Sequence, residues 1–164
     1  MPTKWTIAPN AGLLPVRFRD SSETVWKTSF LGQPERVLPG ASGEKTEVRS
    51  LYRPMISYRD ERVFHISVGR RTSGVVFETL DVFESDPRTV LQAFEKANRS
   101  PGFVQLGFTV FGALNISVEG FYLDGEDAYF DPNSGEQDDR IVILHAPGTL
   151  EIFDDLPKTT ISFF

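Results

Sequence analysis

The chain has no cysteine among its 164 residues, and this absence excludes several kinds of chemistry. Disulfides, thiolate nucleophiles and cysteine zinc sites cannot form, which fits a reducing compartment. A membrane helix needs about 20 apolar residues, but the longest candidate, residues 103–118, is interrupted by Gly107, Gly112 and Asn115. No apolar run follows Met1. We therefore expect a cytoplasmic protein without a secretory signal and with no membrane partner.

Catalytic and metal-binding motifs are also missing. Neither a Gly-x-Ser-x-Gly elbow nor a phosphate-binding loop occurs. The two histidines, His65 and His145, lack the spacings typical of zinc sites. In the segment that begins at Asp131, Glu136 occupies the sixth position, where a calcium loop requires glycine. The sequence thus predicts no catalytic residue, no metal and no cofactor, and we expect both histidines to be structural.

The charge of the chain is unevenly distributed. The net charge is -6, yet residues 123–139 alone contain seven acidic residues and no Lys or Arg, so the remainder carries +1. A nucleic-acid-binding protein concentrates Lys and Arg on one face, whereas the nearest cluster here is the pair Arg70 and Arg71. We therefore expect no nucleic-acid partner.

Residues 123–139, which we call the acidic loop, allow two interpretations. The loop is either a solvated segment that keeps the protein soluble or a surface that contacts a basic partner. In the second interpretation, neighbouring aromatic residues anchor the partner. The predicted partner-binding residues are Tyr122, Asp124, Glu126, Asp127, Tyr129, Asp131, Glu136, Asp138 and Asp139.

The clearest predicted element is a helix over residues 83–98. Asp86 can cap its start, and Pro87 follows at the first helical position, where a missing N–H has no cost. Val90, Leu91 and Phe94 fall on one face at helical spacing. Residues 18–32 follow a similar plan and predict a second helix, which starts near Asp20 and has Ser29 and Phe30 on its apolar face.

Two sequence shifts indicate an internal repeat. A shift of 65 aligns the two helices, and a shift of 78 aligns residues 62–68 with 140–146, so the second copy has 13 extra residues that map to the acidic loop. The predicted fold class is α+β: a tandem repeat of a helix plus antiparallel β-meander, with the helices packed on one face of a largely antiparallel sheet. The predicted single domain, residues 1–164, comprises repeats at about 7–72 and 73–148 and a tail at 149–164. Residues 140–146 are mostly apolar and predict a central strand buried on both faces. Chance matching of helix and strand patterns is the alternative to a repeat.

The order of the elements resembles a known bacterial unit. An extended lead-in, the pattern Phe-x-x-Ser-x-x-x-Val from Phe18 to Val25, the run Leu31-Gly32-Gln33-Pro34 and a strand meander follow one another. This order resembles the α-plus-sheet unit of the β-lactamase-inhibitory proteins, of small outer-membrane-assembly lipoproteins and of bacterial immunity-type proteins. The resemblance implies a non-catalytic protein that binds and inhibits another protein.

Three functional hypotheses remain open at this point. The first is a cytoplasmic immunity protein that neutralises a bacterial toxin with a basic surface by occluding it with the acidic loop and its aromatic anchors. The alternative is a small-ligand binder or enzyme with an unrecognised site between the sheet halves. A deep pocket that contains His65 or His145 together with carboxylates would favour the alternative, and a filled interior would count against it. The third is a structural or regulatory domain, and the sequence leaves the oligomeric state open.

Overall fold

A computed structural model describes residues 4–28 and 30–164; Met1, Pro2, Thr3 and Ser29 lie outside the described residues. The strands are β1 (Trp5–Ala8), β2 (Gly12–Leu14), β3 (Val16–Arg17), β4 (Arg36–Pro39), β5 (Glu44–Val48), β6 (Met55–Arg59), β7 (Arg62–Gly69), β8 (Val75–Phe77), β9 (Leu80–Asp81), β10 (Gly102–Gln105), β11 (Phe108–Phe111), β12 (Ile116–Glu119), β13 (Tyr122–Leu123), β14 (Ala128–Tyr129), β15 (Ile141–His145) and β16 (Thr159–Ile161). The α-helices are α1 (Ser22–Thr28) and α2 (Pro87–Asn98), and single 3₁₀ turns span Gly112–Leu114 and Asp124–Glu126.

The largest element is a nine-stranded antiparallel sheet. Its strand order is β16-β10-β11-β12-β15-β7-β6-β5-β4, so the pair of β7 and β15 lies near its centre. In this pair His65 lies directly opposite His145, and Ser67 lies opposite Ile143. Because side chains alternate between the faces of a strand, these four residues point to the same side of the sheet.

The inner face of the large sheet is covered by a second sheet and by the helices. The second sheet has the order β3-β2-β1-β8-β9, in which β1 and β8 run parallel. Trp5, Leu13 and Phe77 from this sheet join the same buried cluster as Ile66 and Leu144 of the large sheet. The hydrophobic core therefore lies on one side of the large sheet, and the other side, which we call the open face, carries no second layer of regular structure among the described residues.

Helix α2 confirms the helix predicted from its capping residues. The Asp86 carboxylate accepts a hydrogen bond of 3.0 Å from the backbone N–H of Thr89, and Pro87 is the first helical residue. Phe94 is fully buried and its ring packs on Phe77 and Phe111, at centroid distances of 4.7 and 5.6 Å. Local signals placed this helix correctly because its cap, first turn and apolar face all agree.

Helix α1 is shorter than the predicted helix at residues 18–32. The cap is Ser21, whose hydroxyl accepts a hydrogen bond from the backbone N–H of Thr24, while the Asp20 carboxylate accepts one from Arg17. Phe30, placed by the pattern on the buried face, is 65% exposed. Ser29, predicted on the same face, lies outside the described residues. The helix begins at Ser22 because Asp20 closes the preceding turn instead of starting the helix.

The predicted fold class, an α+β tandem repeat of helix plus meander, is wrong. Strands account for 38% of the residues and helices for 15%, with two α-helices and two main sheets in the described chain. The segments that precede the two helices supply the strands of the second sheet, β1 to β3 and β8 to β9. These strands are only two to four residues long, so their periodicity is too short to identify from the sequence. The repeat boundary near residue 72 stays a prediction.

The described part of the chain has no helix that is both long enough and apolar enough to cross a bilayer.

Candidate functional site: a cavity on the open face

The open face of the large sheet contains a cavity of about 490 Å³. Its floor consists of side chains from the central strands, which are Ser57 of β6, His65 and Ser67 of β7, Ile143 and His145 of β15, Ser117 of β12 and Val110 of β11. Met55, Phe64, Phe108 and Phe153 add apolar surface around this floor. The cavity thus combines a polar centre with mainly apolar surroundings.

Strand alternation explains how polar side chains reach this floor. In β7, Ile66 and Val68 are fully buried on the core side, so His65 and Ser67 point to the open face. The pairing of β6 with β7 shifts at Ser57, which indicates a β-bulge. The bulge reverses the alternation before His65, so Val63 is buried in the core and Phe64 lines the cavity. Regular alternation along β7 would place Phe64 in the core with Ile66 and Val68, and the bulge moves it to the cavity side instead.

Strand β15 completes the floor and corrects a prediction. Val142 and Leu144 are buried in the core, but Ile143 and His145 line the cavity and are half-buried. Residues 140–146 were predicted to be buried on both faces because Ile143 continues the apolar run. One face of this strand packs in the core, and the other borders the cavity.

The two imidazole rings form the centre of the floor. Their centroids are 5.0 Å apart, and the Nε2 atom of His145 lies 2.9 Å from the hydroxyl oxygen of Ser117. Burial lowers the pKa of His145 to about 4, with a smaller contribution from the neighbouring His65. Burial also lowers the pKa of His65, against a weaker opposing effect of Glu44. Both rings are therefore neutral at pH 7.

The polar groups of the floor differ in whether they already have partners. The Thr46 and Ser57 hydroxyls form a hydrogen bond of 2.8 Å with each other, and Ser117 is paired with His145. In the part of the chain that the structure describes, neither the His65 ring nor the Ser67 hydroxyl forms a hydrogen bond within the protein. These two groups remain able to bind a ligand.

One wall of the cavity is a segment without regular structure, residues 146–158, which we call the strap. The Gln105 side chain holds it: its Nε2 donates to the carbonyl oxygens of Phe153 and Leu156 at 2.7 and 3.3 Å, and its Oε1 accepts from the N–H of Phe153 at 3.1 Å. Thr149, Leu150 and Phe153 of the strap contribute to the cavity lining. The Gln105 side chain therefore fixes the part of this wall around Phe153 and Leu156.

The opposite wall contains an ion pair between two residues that line the cavity, Arg59 and Glu44. The other described residues of the lining form no ion pair with one another. The Nε of Arg59 donates to the Glu44 carboxylate at 3.0 Å, and the guanidinium lies 4.3 Å from the centroid of the Phe64 ring. This stacking holds the arginine against the wall. The charge of Arg59 is thus balanced within the protein.

The Ser117–His145 pair resembles the nucleophile and base of a hydrolase, but its surroundings do not suit that chemistry. A pKa of about 4 makes His145 a weak base at pH 7. Among the described residues, no carboxylate binds the other ring nitrogen to orient it, as a catalytic triad requires. The described residues also contain no group of three or more potential metal ligands. The Ser117 hydroxyl and the neutral His145 ring are groups that can form hydrogen bonds with a ligand.

The predicted partner-binding residues lie elsewhere, and none of them lines this cavity. Asp138 binds Arg140 at 2.8 Å and Arg70 at 3.4 Å. Burial alone would raise the pKa of Asp138, but the hydrogen bonds and charges of these arginines lower it. Asp127 accepts a 2.7 Å hydrogen bond from the Tyr122 hydroxyl, which raises the pKa of Tyr122 to about 12. Asp138 and Asp127 therefore have side-chain partners inside the protein.

The aromatic residues of the acidic loop pack on the protein itself. The rings of Tyr122 and Tyr129 lie 5.8 and 6.1 Å from that of Phe163, which is buried. Phe130 is buried against the Arg140 guanidinium, which lies 5.0 Å from its ring centroid. The remaining predicted acids, Asp124, Glu126, Asp131, Glu136 and Asp139, are exposed and form no ion pair among the described residues.

The sequence favours a structural role for His65 and His145 and connects them with a ligand site only in the alternative hypothesis, so the other cavity residues were missed. The usable signal was the alternation in β7, where His65 and Ser67 are polar between apolar core positions. The partner strand lies far away in sequence, so the pairing of the two histidines cannot be seen from either strand alone.

Comparison of the chain with protein-family models, with curated proteins and with solved structures found no match.

Proposed function

We propose that this protein is a non-catalytic binding protein that holds a small ligand in the cavity on the open face. The observation that carries the proposal is a cavity of about 490 Å³ whose floor presents His65 and Ser67 without protein partners. The volume lies within the range of about 300–1,000 Å³ that small-molecule sites occupy. The cavity contains both histidines together with Glu44 and Glu151, the combination that favours a small-ligand site over a toxin inhibitor.

The composition of the cavity also supports a small ligand. Eight apolar side chains line the cavity together with the polar groups of its floor, and small-molecule sites likewise combine apolar surface with convergent polar groups. Met55, Leu106 and Phe153 line the cavity and are 42%, 63% and 41% exposed, so apolar surface continues to its mouth. A ligand seated there would remove this apolar surface from water, which is favourable.

The proposal is tested by filling the cavity. Ser67→Trp places a large side chain on the floor, and Ser73→Trp adds the same side chain at an exposed position that does not line the cavity. Binding of Nile red, an uncharged apolar dye, is followed by fluorescence titration. We expect saturable binding to the unmodified protein and to Ser73→Trp, and at least tenfold weaker binding to Ser67→Trp. Equal binding by the two variants, or no saturable binding to the unmodified protein, contradicts the proposal.

The second candidate is the cytoplasmic immunity protein, in line with the resemblance to immunity-type proteins. The five exposed carboxylates that form no ion pair in the described chain support it, because basic side chains of a toxin would pair with them. Changing Asp124, Glu126, Asp131, Glu136 and Asp139 to their amides should slow association with a basic toxin encoded by a neighbouring gene and weaken its salt dependence. Stopped-flow measurements at two salt concentrations test this, and an unchanged rate contradicts it.

A further inference from the structure

We infer that the ligand of the open-face cavity is an uncharged, mainly apolar molecule with a hydroxyl or carbonyl group that hydrogen-bonds to His65. This inference rests on the proposed function and adds the chemical class of the ligand. Three features of the cavity support it: its cations are already paired, its carboxylates are paired or exposed, and its unpartnered polar groups are neutral.

An anionic ligand would find no free cation. Lys45 and Arg59 are the lysine and arginine of the lining, and each binds a carboxylate of this chain, Glu61 at 2.8 Å and Glu44 at 3.0 Å respectively. His65 and His145 are neutral at pH 7 and add no positive charge. Placing an unpaired anion in a mostly apolar cavity is unfavourable. The cavity therefore disfavours anions.

The cavity also lacks a strong partner for a cationic ligand within the described residues. Glu44 is engaged by Arg59, so an incoming cation would have to compete with an existing ion pair. Glu151 of the strap is exposed, and water and salt weaken the attraction of such a carboxylate. No carboxylate lies on the floor of the cavity within the described chain. The cavity thus offers a cation no strong partner.

The neutral groups of the floor define the polar part of the ligand. A neutral imidazole has one N–H donor and one nitrogen acceptor, so His65 can bind a hydroxyl in either direction or donate to a carbonyl. Ser67 lies two residues further along the same face of β7 and has a free hydroxyl among the described contacts. Val110, Phe108 and Ile143 then contact the apolar remainder of the ligand.

The test uses three probes of similar shape: 2-naphthol, naphthalene and 2-naphthoate. Isothermal titration calorimetry at pH 7.5 gives their dissociation constants for the unmodified protein. We expect 2-naphthol to bind about tenfold more tightly than 2-naphthoate, whose charge lacks a partner. We also expect it to bind roughly fivefold more tightly than naphthalene, which corresponds to one hydrogen bond.

Two variants assign the hydrogen bond to His65. His65→Leu should reduce the affinity for 2-naphthol to that for naphthalene and change the affinity for naphthalene less than twofold. His65→Gln retains a donor and an acceptor and should keep most of the preference for 2-naphthol. Unchanged naphthalene binding also shows that the Leu variant is folded.

The outcomes separate this inference from the proposed function. Equal or tighter binding of 2-naphthoate, lost in Ser67→Trp, overturns the inference about charge and leaves the cavity as a ligand site. Failure of 2-naphthol to bind a protein that takes up Nile red in the cavity overturns it as well. An unchanged preference for 2-naphthol in His65→Leu overturns the role of His65. If Ser67→Trp affects none of the probes or the dye, the proposed function itself fails.

Discussion

Acidification should destabilise the protein through His145 in a pH range where most carboxylates remain charged. Burial holds the pKa of this imidazole at about 4, compared with 6.5 for a free histidine. Between these values the unfolded chain binds a proton that the folded protein excludes. Since stability rises with pH wherever the unfolded state binds more protons, this contribution is present above about pH 6.5 and is lost as the pH falls towards 4.

The expected magnitude follows from the size of the shift. Each unit of pKa difference corresponds to about 1.4 kcal/mol, so full protonation would cost about 3 kcal/mol. Lowering the pH from 7 to 5 covers only part of the range, and the ring is half-buried and in contact with solvent. We therefore expect the contribution of His145 to the free energy of unfolding to fall by about 1–2 kcal/mol over this interval.

The assay is urea denaturation at pH 7, 6 and 5 of the unmodified protein and of His145→Gln. The glutamine does not titrate and can still hydrogen-bond to Ser117, so the difference between the two profiles isolates the protonation of His145. His65 has a lowered pKa too and acts in the same direction, which is why the unmodified profile alone is insufficient. Parallel profiles for the two proteins between pH 7 and pH 5 would refute the reasoning.

Two further predictions concern stability and the strap. Glu47→Ala should lower the free energy of unfolding by roughly 3–5 kcal/mol in urea denaturation. The reason is that the substitution leaves Arg49 buried without its carboxylate and removes the hydrogen-bond acceptor of Trp26. A loss below about 1 kcal/mol would contradict the stabilising role of these buried contacts. Gln105→Ala should accelerate backbone hydrogen exchange in residues 150–157, because it removes the hydrogen bonds that hold the strap, and α2 serves as the internal control. Unchanged exchange in the strap would show that Gln105 does not hold it.

The elements that could be predicted from the sequence are those whose signals are local. Asp86, Pro87 and Phe94 lie within a few residues of one another, and they were enough to place α2. In α1, by contrast, Asp20 and Ser21 are both capping residues, and only the fold shows that Asp20 binds Arg17 while Ser21 caps the helix. Where two neighbouring residues can both cap a helix, contacts with the rest of the chain determine which of them does so.

The candidate site could not be predicted because it depends on contacts between distant strands. His65 and His145 become neighbours only through the pairing of β7 with β15, and a bulge at Ser57 decides that Phe64 faces the cavity. Because Ile143 is apolar, the sequence predicts that both faces of β15 are buried, although one face borders the cavity. The acidic loop is predicted to be an interface from its composition and from its position as an insertion in the repeat, and neither signal shows that Asp138 is paired with Arg140.

The most direct test of the central claim is nuclear magnetic resonance of the histidine rings during a titration with 2-naphthol. The chain has two histidines, and both line the cavity, so their ring C–H signals report on this site alone. We predict saturable shifts, larger for His65 than for His145, with the same dissociation constant that calorimetry gives. Binding of 2-naphthol that leaves both histidine signals unchanged would contradict the account.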